Sequence, residues 1–181
     1  MRVRGVENPQ GFADGFADAF GKYLSFGAYS PLMRPTIDEY FMELATVVAK
    51  RSTCLRNQVG AVIVRDKRIL STGYNGAPRN LPHCLDIGCI RQQNNIASGT
   101  RHELCRAVHA EQNAIIQAAL HGVSIENATV YCTHQPCILC AKMLINANIE
   151  KVVFGTVYPD TEALKFFEKA GVKVEQLTFN P

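Results

Sequence analysis

Two short stretches of the chain carry residue types that hold and use a metal: His109-Ala110-Glu111 and Pro136-Cys137-Ile138-Leu139-Cys140. Zinc takes imidazole nitrogen and thiolate sulfur in a tetrahedron, and a site that does chemistry keeps one corner for water. His109, Cys137 and Cys140 supply three ligands with no obvious fourth. Glu111 stands two residues from His109, close enough to move protons at the fourth corner. Zinc with an open corner makes water nucleophilic at neutral pH, so these residues point to hydrolysis.

Neither stretch is specific alone. A His-x-Glu pair is common at helix starts. A Cys-x-x-Cys serves equally as a redox pair or as half of a structural zinc site, but no second Cys-x-x-Cys exists to complete the latter. Together and in this order the two stretches specify one catalytic zinc split between two helix starts. Cys137 and Cys140 follow a proline in the first turn of a helix. The positive end of the helix dipole and the first-turn N–H groups favour thiolate there. Free N–H groups in that turn could also donate to an oxygen at the reacting carbon.

The elements that must position these residues can be read along the chain. Thr36 and Glu39 form a capping box for a helix to about residue 51, with Tyr40, Phe41, Leu44, Val47 and Val48 at helical spacing. Strands follow over 59–64 and 68–72, joined by a hairpin at Asp66-Lys67, and 74–78 is a turn. Residues 79–106 show no clear period, which in a compact domain marks a functional or mobile segment. Helices over 109–121, 137–146 and 162–170 then alternate with strands over 128–133, 151–155 and 172–176. Ala110, Ala114, Ile115 and Ala118 form the packing side of the first of these helices. The pattern predicts an α/β fold, with a mixed sheet covered on both faces and parallel strands in its second half.

Residues 1–34 differ in composition and repeat Gly-Phe-Ala-Asp at 11–14 and 15–18. They read as a flexible leader, with a short docked helix over 16–23 as the alternative, and the folded domain is expected over 35–181. At 181 residues, 47% hydrophobic and 19% charged, the chain is one ordinary globular domain. A net charge of +3 is too small to argue for nucleic acid and is compatible with a small anionic substrate. No apolar run approaches the ~20 residues that span a bilayer, and no secretory signal is evident. Seven cysteines, two of them in Cys-x-x-Cys, fit a reducing cytoplasm better than a disulfide framework.

The two zinc stretches match the His-x-Glu…Pro-Cys-x-x-Cys signature of zinc deaminases that act on nucleobases. With Arg51-Ser52-Thr53-Cys54, Val59-Gly60-Ala61-Val62, Thr72-Gly73-Tyr74-Asn75-Gly76, Tyr158 and the long insertion before His109, the chain resembles the deoxycytidylate (dCMP) deaminases of the cytidine-deaminase-like superfamily. The resemblance runs over about 36–176. It implies a three-layer α/β/α sandwich with a mixed five-stranded sheet, and deamination of dCMP to dUMP with release of ammonia for thymidylate synthesis. Glu111 would carry the protons from water to the ring nitrogen and the leaving amine. Asn75 would contact the sugar and Tyr158 line the pyrimidine pocket. The resemblance also implies a homo-hexamer with dCTP as activator and dTTP as inhibitor.

A substrate phosphate needs cations or backbone donors, and the candidates are Arg51, Arg56, Arg79, Arg106 and His134. Some phage relatives carry a second, structural zinc near the insertion. Cys54, Cys84, His102 and Cys105 could form one here, with His83 or Cys89 as substitutes, or could be plain loop thiols. Two other functions stay open: the same chemistry on another cytosine nucleoside, nucleotide or nucleic-acid base, and a non-catalytic nucleotide-binding zinc module. The weak charge and the lack of a basic, aromatic-interleaved stretch argue against nucleic acid. The presence of Glu111 argues against the module.

Overall fold

A computed structural model of the chain describes residues 34–178. The leader expected over 1–34 lies outside these residues, apart from Arg34. Helix α1 (Ile37–Ala49) opens on the expected capping box. The Thr36 N–H donates to Glu39 Oε2 at 2.7 Å, and the Glu39 N–H returns to Thr36 Oγ1 at 3.3 Å. Strands β1 (Gly60–Arg65) and β2 (Arg68–Tyr74) pair antiparallel around Asp66 and Lys67, both at positive φ. That is the twist-matched geometry of a two-residue hairpin.

The aperiodic segment contains two four-residue helices, α2 (Cys84–Ile87) and α3 (Ile90–Gln93), and a 3₁₀ turn at His102–Leu104. Helices this short have no second turn to reveal a 3.6-residue period. Then follow α4 (Ala110–Leu120), β3 (Thr129–His134), α5 (Ile138–Asn146), β4 (Lys151–Thr156), α6 (Thr161–Lys169) and β5 (Lys173–Gln176).

The sheet order is β2-β1-β3-β4-β5. β1 is antiparallel to both β2 and β3, whereas β3, β4 and β5 run parallel. This is the mixed five-stranded sheet the sequence implies. Alternate residues of its central strands face two separate cores. Ala61, Ile63, Val130, Cys132, Val152 and Phe154 pack with α4, α5 and α6. Val62, Val64, Tyr131 and Val153 pack with Phe41, Met42 and Ala45 of α1. The result is the expected three-layer sandwich, with α1 on one face.

The apolar stripe expected on α1 is shifted. Phe41, Met42, Ala45 and Ala49 are buried, whereas Tyr40 and Val47 face out. Flush contact explains the choice of small residues. A Cβ at Gly60 of β1 would overlap the Ala45 carbonyl and crowd the Ala49 amide. An approach this close leaves no room for bulkier side chains at the crossing.

Candidate active site and metal centre

The site forms at the end of the sheet where β3 and β4 terminate, the end at which open α/β sheets bind ligands. β2 also finishes there, and β1 starts there.

His109 is the N-cap of α4. Its N–H donates to Gln112 Oε1 at 2.9 Å, which fixes the backbone and leaves the ring to turn inward. Cys137 is the N-cap of α5 and Cys140 lies in its first turn. His109 Nδ1 is 3.5 Å from Cys137 Sγ and 3.4 Å from Cys140 Sγ. Tetrahedral zinc, with bonds of about 2.0 Å to nitrogen and about 2.3 Å to sulfur, separates two such ligands by about 3.5 Å. Each cysteine therefore stands at zinc-ligand spacing from Nδ1 of His109, the nitrogen that would take the metal. Glu111 is 4% exposed, and a carboxylate oxygen lies within 4.8 Å of the His109 and Cys140 ligand atoms. That places it beside the ligands.

The charges are strongly coupled. Hydrogen bonding from Cys140 and His109 overcomes burial and lowers Cys137 to about 4. Cys140, donating to Cys137 and buried, moves well up. Burial pulls His109 down, but its hydrogen bond to Cys137 and the nearby Glu111 carboxylate carry it up overall. Burial raises Glu111. The opposite shifts of Cys137 and Cys140 come from one shared hydrogen bond between neighbouring thiols.

The Thr72-Gly73-Tyr74-Asn75-Gly76 motif holds His109 in place. A Cβ at Gly73 would overlap the Ala110 carbonyl and the Ala114 amide, so α4 lies directly on β2. The Ser71 hydroxyl donates to the Ala114 carbonyl at 2.6 Å, and Asn113 Nδ2 donates to the Tyr74 carbonyl at 2.7 Å. Gly76 and Val108 exchange backbone hydrogen bonds immediately before His109. Asn75 is buried as a latch. Its Oδ1 accepts from Ser52 Oγ at 2.6 Å and the Val59 N–H at 2.9 Å, and its Nδ2 donates to the Asn57 carbonyl at 2.8 Å.

Asp160 is a positioning residue that sequence reasoning missed. Its Oδ1 accepts the Ala163 N–H at 3.2 Å and caps α6, while Oδ2 accepts the Ile138 N–H at 2.7 Å. Its carbonyl accepts Gln135 Nε2 at 2.7 Å. One of the first-turn donors expected to be free for a reacting oxygen is therefore taken. Asp160→Asn is expected to cost about 1–2 kcal/mol of stability and to weaken zinc binding about tenfold, as loss of an outer support does. Urea denaturation and chelator competition would measure both. Unchanged zinc affinity would show that Asp160 supports α6 alone.

Above the ligands lies a cavity whose lining includes Asn75, His102, Gln135, Glu111 and the half-buried Tyr158. Among the expected phosphate partners, Arg56, Arg106 and His134 line it, whereas Arg51 and Arg79 are exposed and do not. Burial lowers His134, which disfavours its cationic form. Arg91, from the aperiodic segment, also lines the cavity. The buried side-chain polar atoms without a partner among the described residues are Arg91 Nε, His102 Nδ1 and Gln135 Oε1. All three belong to residues of this one cavity. Unmade hydrogen bonds are costly when buried, so their convergence marks a place built for a polar ligand.

The His102 ring packs edge-on to His109 at 5.2 Å, and its ligand nitrogen lies within 4.8 Å of the ligand atoms of His109 and Cys137. Cys54, Cys84, Cys89 and Cys105 line the same cavity. Burial and then the neighbouring thiols raise Cys84. Among the described residues, no three of these thiols form a group as tight as the His109 cluster. None of the seven cysteines is in a disulfide.

With this geometry established, the comparisons with known proteins are specific. The family described as the cytidine and deoxycytidylate deaminase zinc-binding region matches residues 35–156. Deoxycytidylate deaminase of Saccharomyces cerevisiae is 42% identical over 151 residues, covering 83% of this chain and 47% of that protein. ComE operon protein 2 of Bacillus subtilis is 43% identical over 141 residues, covering 77% and 70% respectively. The dCMP deaminase of the cyanophage S-TIM5, solved in complex with dCMP and dUMP, superposes with a TM-score of 0.68 at 32% identity, over 80% of this chain and 99% of that one. Against the yeast proteins, the chain spans about half the length of the relatives it matches. Ligand set, adjoining carboxylate, sheet order and family match agree, and the chain belongs to the cytidine and deoxycytidylate deaminase zinc-binding family.

Proposed function

We propose that this protein deaminates dCMP to dUMP, with water consumed and ammonia released. The observation that carries the reading is Cys137 and Cys140 each at zinc-ligand spacing from His109, with Glu111 buried beside them at a cavity whose unpaired polar atoms await a ligand. The cyanophage protein named as a dCMP deaminase, similar over most of the chain, supports the choice of substrate.

Zinc, when bound, makes water nucleophilic near pH 7. The remaining work belongs to this chain. Glu111 accepts the proton of the attacking water and delivers it to N3 of the cytosine. The new bond joins the water oxygen to C4, and the bond that breaks joins C4 to the amino nitrogen. Glu111 then takes the second proton from the new C4 hydroxyl and passes it to the amino nitrogen, which leaves as ammonia. Its burial keeps competing water away and favours the protonated form it must pass through. Tyr158 borders the pyrimidine. Asn75 contacts the sugar with the one Nδ2 hydrogen its latch leaves over.

The same reading includes dCTP and dTTP as effectors and a homo-hexamer. Ile116 and Leu120 on α4 and Leu139 and Met143 on α5 are exposed apolar side chains that such an assembly would cover. Among the described residues, no helix is long and apolar enough to cross a membrane. Free thiols are consistent with the reducing cytoplasm.

The test is ammonia release by the zinc-loaded protein from dCMP, deoxycytidine, CMP and short cytosine-containing single-stranded DNA. Each is run with and without dCTP and magnesium, alongside sedimentation of the same sample. Turnover concentrated on dCMP is expected. Preference for deoxycytidine or DNA would overturn the substrate, and silence on all four with zinc bound would overturn the enzyme. A monomer unresponsive to dCTP would remove the hexamer and the effectors.

A further inference from the structure

Arg91 is out of place for an arginine. It is 7% exposed, at the start of the four-residue helix α3. One terminal nitrogen, Nη2, donates to the Ala97 carbonyl at 2.8 Å, and the Arg91 carbonyl accepts the Ile96 N–H at 2.8 Å. The loop is thereby closed on itself and the guanidinium braced at one corner. Its Nε is buried and has no partner. Among the described residues no carboxylate lies within ion-pair distance of it. Arginine stays charged at every accessible pH. Burying such a cation without a counter-charge is expensive, and folds rarely do it without a function.

The cavity supplies the context. Its lining contains three arginines, Arg56, Arg91 and Arg106, against a single carboxylate, Glu111. Glu111 is committed beside the zinc ligands. Arg56 Nη1 donates to the Ile96 carbonyl at 2.9 Å and Arg106 Nη1 to the Gly88 carbonyl at 3.3 Å. These two are only partly buried. Arg91 is the buried one, and its charge reaches both His109 and Tyr158. The cavity therefore has a net positive lining, with one pre-braced guanidinium whose free edge lacks an acceptor. A planar fork of N–H donors matches the oxygens of a phosphate.

We propose that Arg91 binds the 5′-phosphate of the nucleotide substrate and is the residue by which this enzyme prefers a deoxynucleoside monophosphate to the free nucleoside. The assignment rests on the dCMP reading above. It places the specificity determinant in the insertion, away from the residues that hold zinc.

Arg91→Gln is expected to raise KM for dCMP by about 10- to 100-fold, the loss of one to two charge-assisted hydrogen bonds, with kcat nearly retained. Turnover of deoxycytidine should change little, so the preference for dCMP collapses. Arg91→Lys keeps the charge and loses the fork, and it is expected to fall between the two. Zinc content and far-ultraviolet circular dichroism confirm that each variant is folded. If the Gln variant does not fold, the ratio of dCMP to deoxycytidine turnover in the Lys variant carries the same test. Calorimetric binding of dUMP against deoxyuridine to the zinc-loaded protein gives a readout independent of chemistry, and only dUMP should weaken. Equal losses on dCMP and deoxycytidine, or an unchanged KM for dCMP, would overturn the assignment while leaving a wild-type dCMP deaminase standing. A wild-type protein inactive on dCMP would overturn the parent reading, and this one with it.

Discussion

Glu111→Gln is expected to lower turnover of dCMP by about 10²- to 10⁴-fold, the range for removing a positioned general acid–base group. Zinc content should be unchanged, because the substitution leaves His109, Cys137 and Cys140 intact. The two side chains have nearly the same shape, so the buried site keeps its packing. Stability should hold or rise, since a carboxyl that is 4% exposed is replaced by a neutral amide. Binding of dUMP should persist. This combination separates a proton carrier from a metal ligand. Loss of zinc together with activity would make Glu111 part of the metal's hold, and full activity would remove it from the mechanism.

Gly73→Ala carries the second large effect. The added Cβ would meet the Ala110 carbonyl and the Ala114 amide. Both atoms are backbone of α4 and cannot rotate away. The helix must shift, and its first turn bears His109 and Glu111. Overpacking of this kind costs about 1–3 kcal/mol, and a misplacement of about 1 Å at a reacting group costs on the order of 10²-fold in rate. Lower thermal stability, weaker zinc binding and a kcat/KM reduced about 100-fold are expected together. The neighbouring Thr72→Ala, at an exposed position, should stay within about 0.5 kcal/mol of the parent. A Gly73→Ala protein with the parent's melting temperature and turnover would show that α4 can yield at this contact.

The meeting of His109, Cys137 and Cys140 with Glu111 was legible in the sequence because the chemistry proposed for them demands particular residue types at short spacings. Each of the stretches 109–111 and 136–140 carries that demand within a few positions. The sheet was legible because its central strands alternate between two cores. Burial of Arg91 was not legible. α3 is too short to show a period, and an isolated arginine in a polar loop looks solvated until the cavity around it is known. The packing of His102 against His109 was hidden for a related reason: a 3₁₀ turn of three residues has no period to show which way its side chains face. The motif around Asn75 was recognised without its mechanics. Its glycine is set by the helix lying on it, and its asparagine spends most of its hydrogen-bonding capacity on Ser52, Asn57 and Val59. No local pattern announces that a side chain will be occupied by a segment 16–23 positions away.

Strand β5 has a consequence for how copies of this chain can associate. It is a sheet edge, four residues long and exposed throughout. Lys173 pairs with Glu150 and Glu175 with Lys151, both at 2.8 Å. A further strand docking along this edge would have to strip water from alternating charges, and short charged edges of this kind resist runaway strand addition. Strand addition at β5 is thus disfavoured, whereas the homo-hexamer proposed above would cover the apolar side chains on the outer faces of α4 and α5. An assembly built there is bounded by helix geometry, whereas an open sheet edge sets no limit on the number of copies that can join.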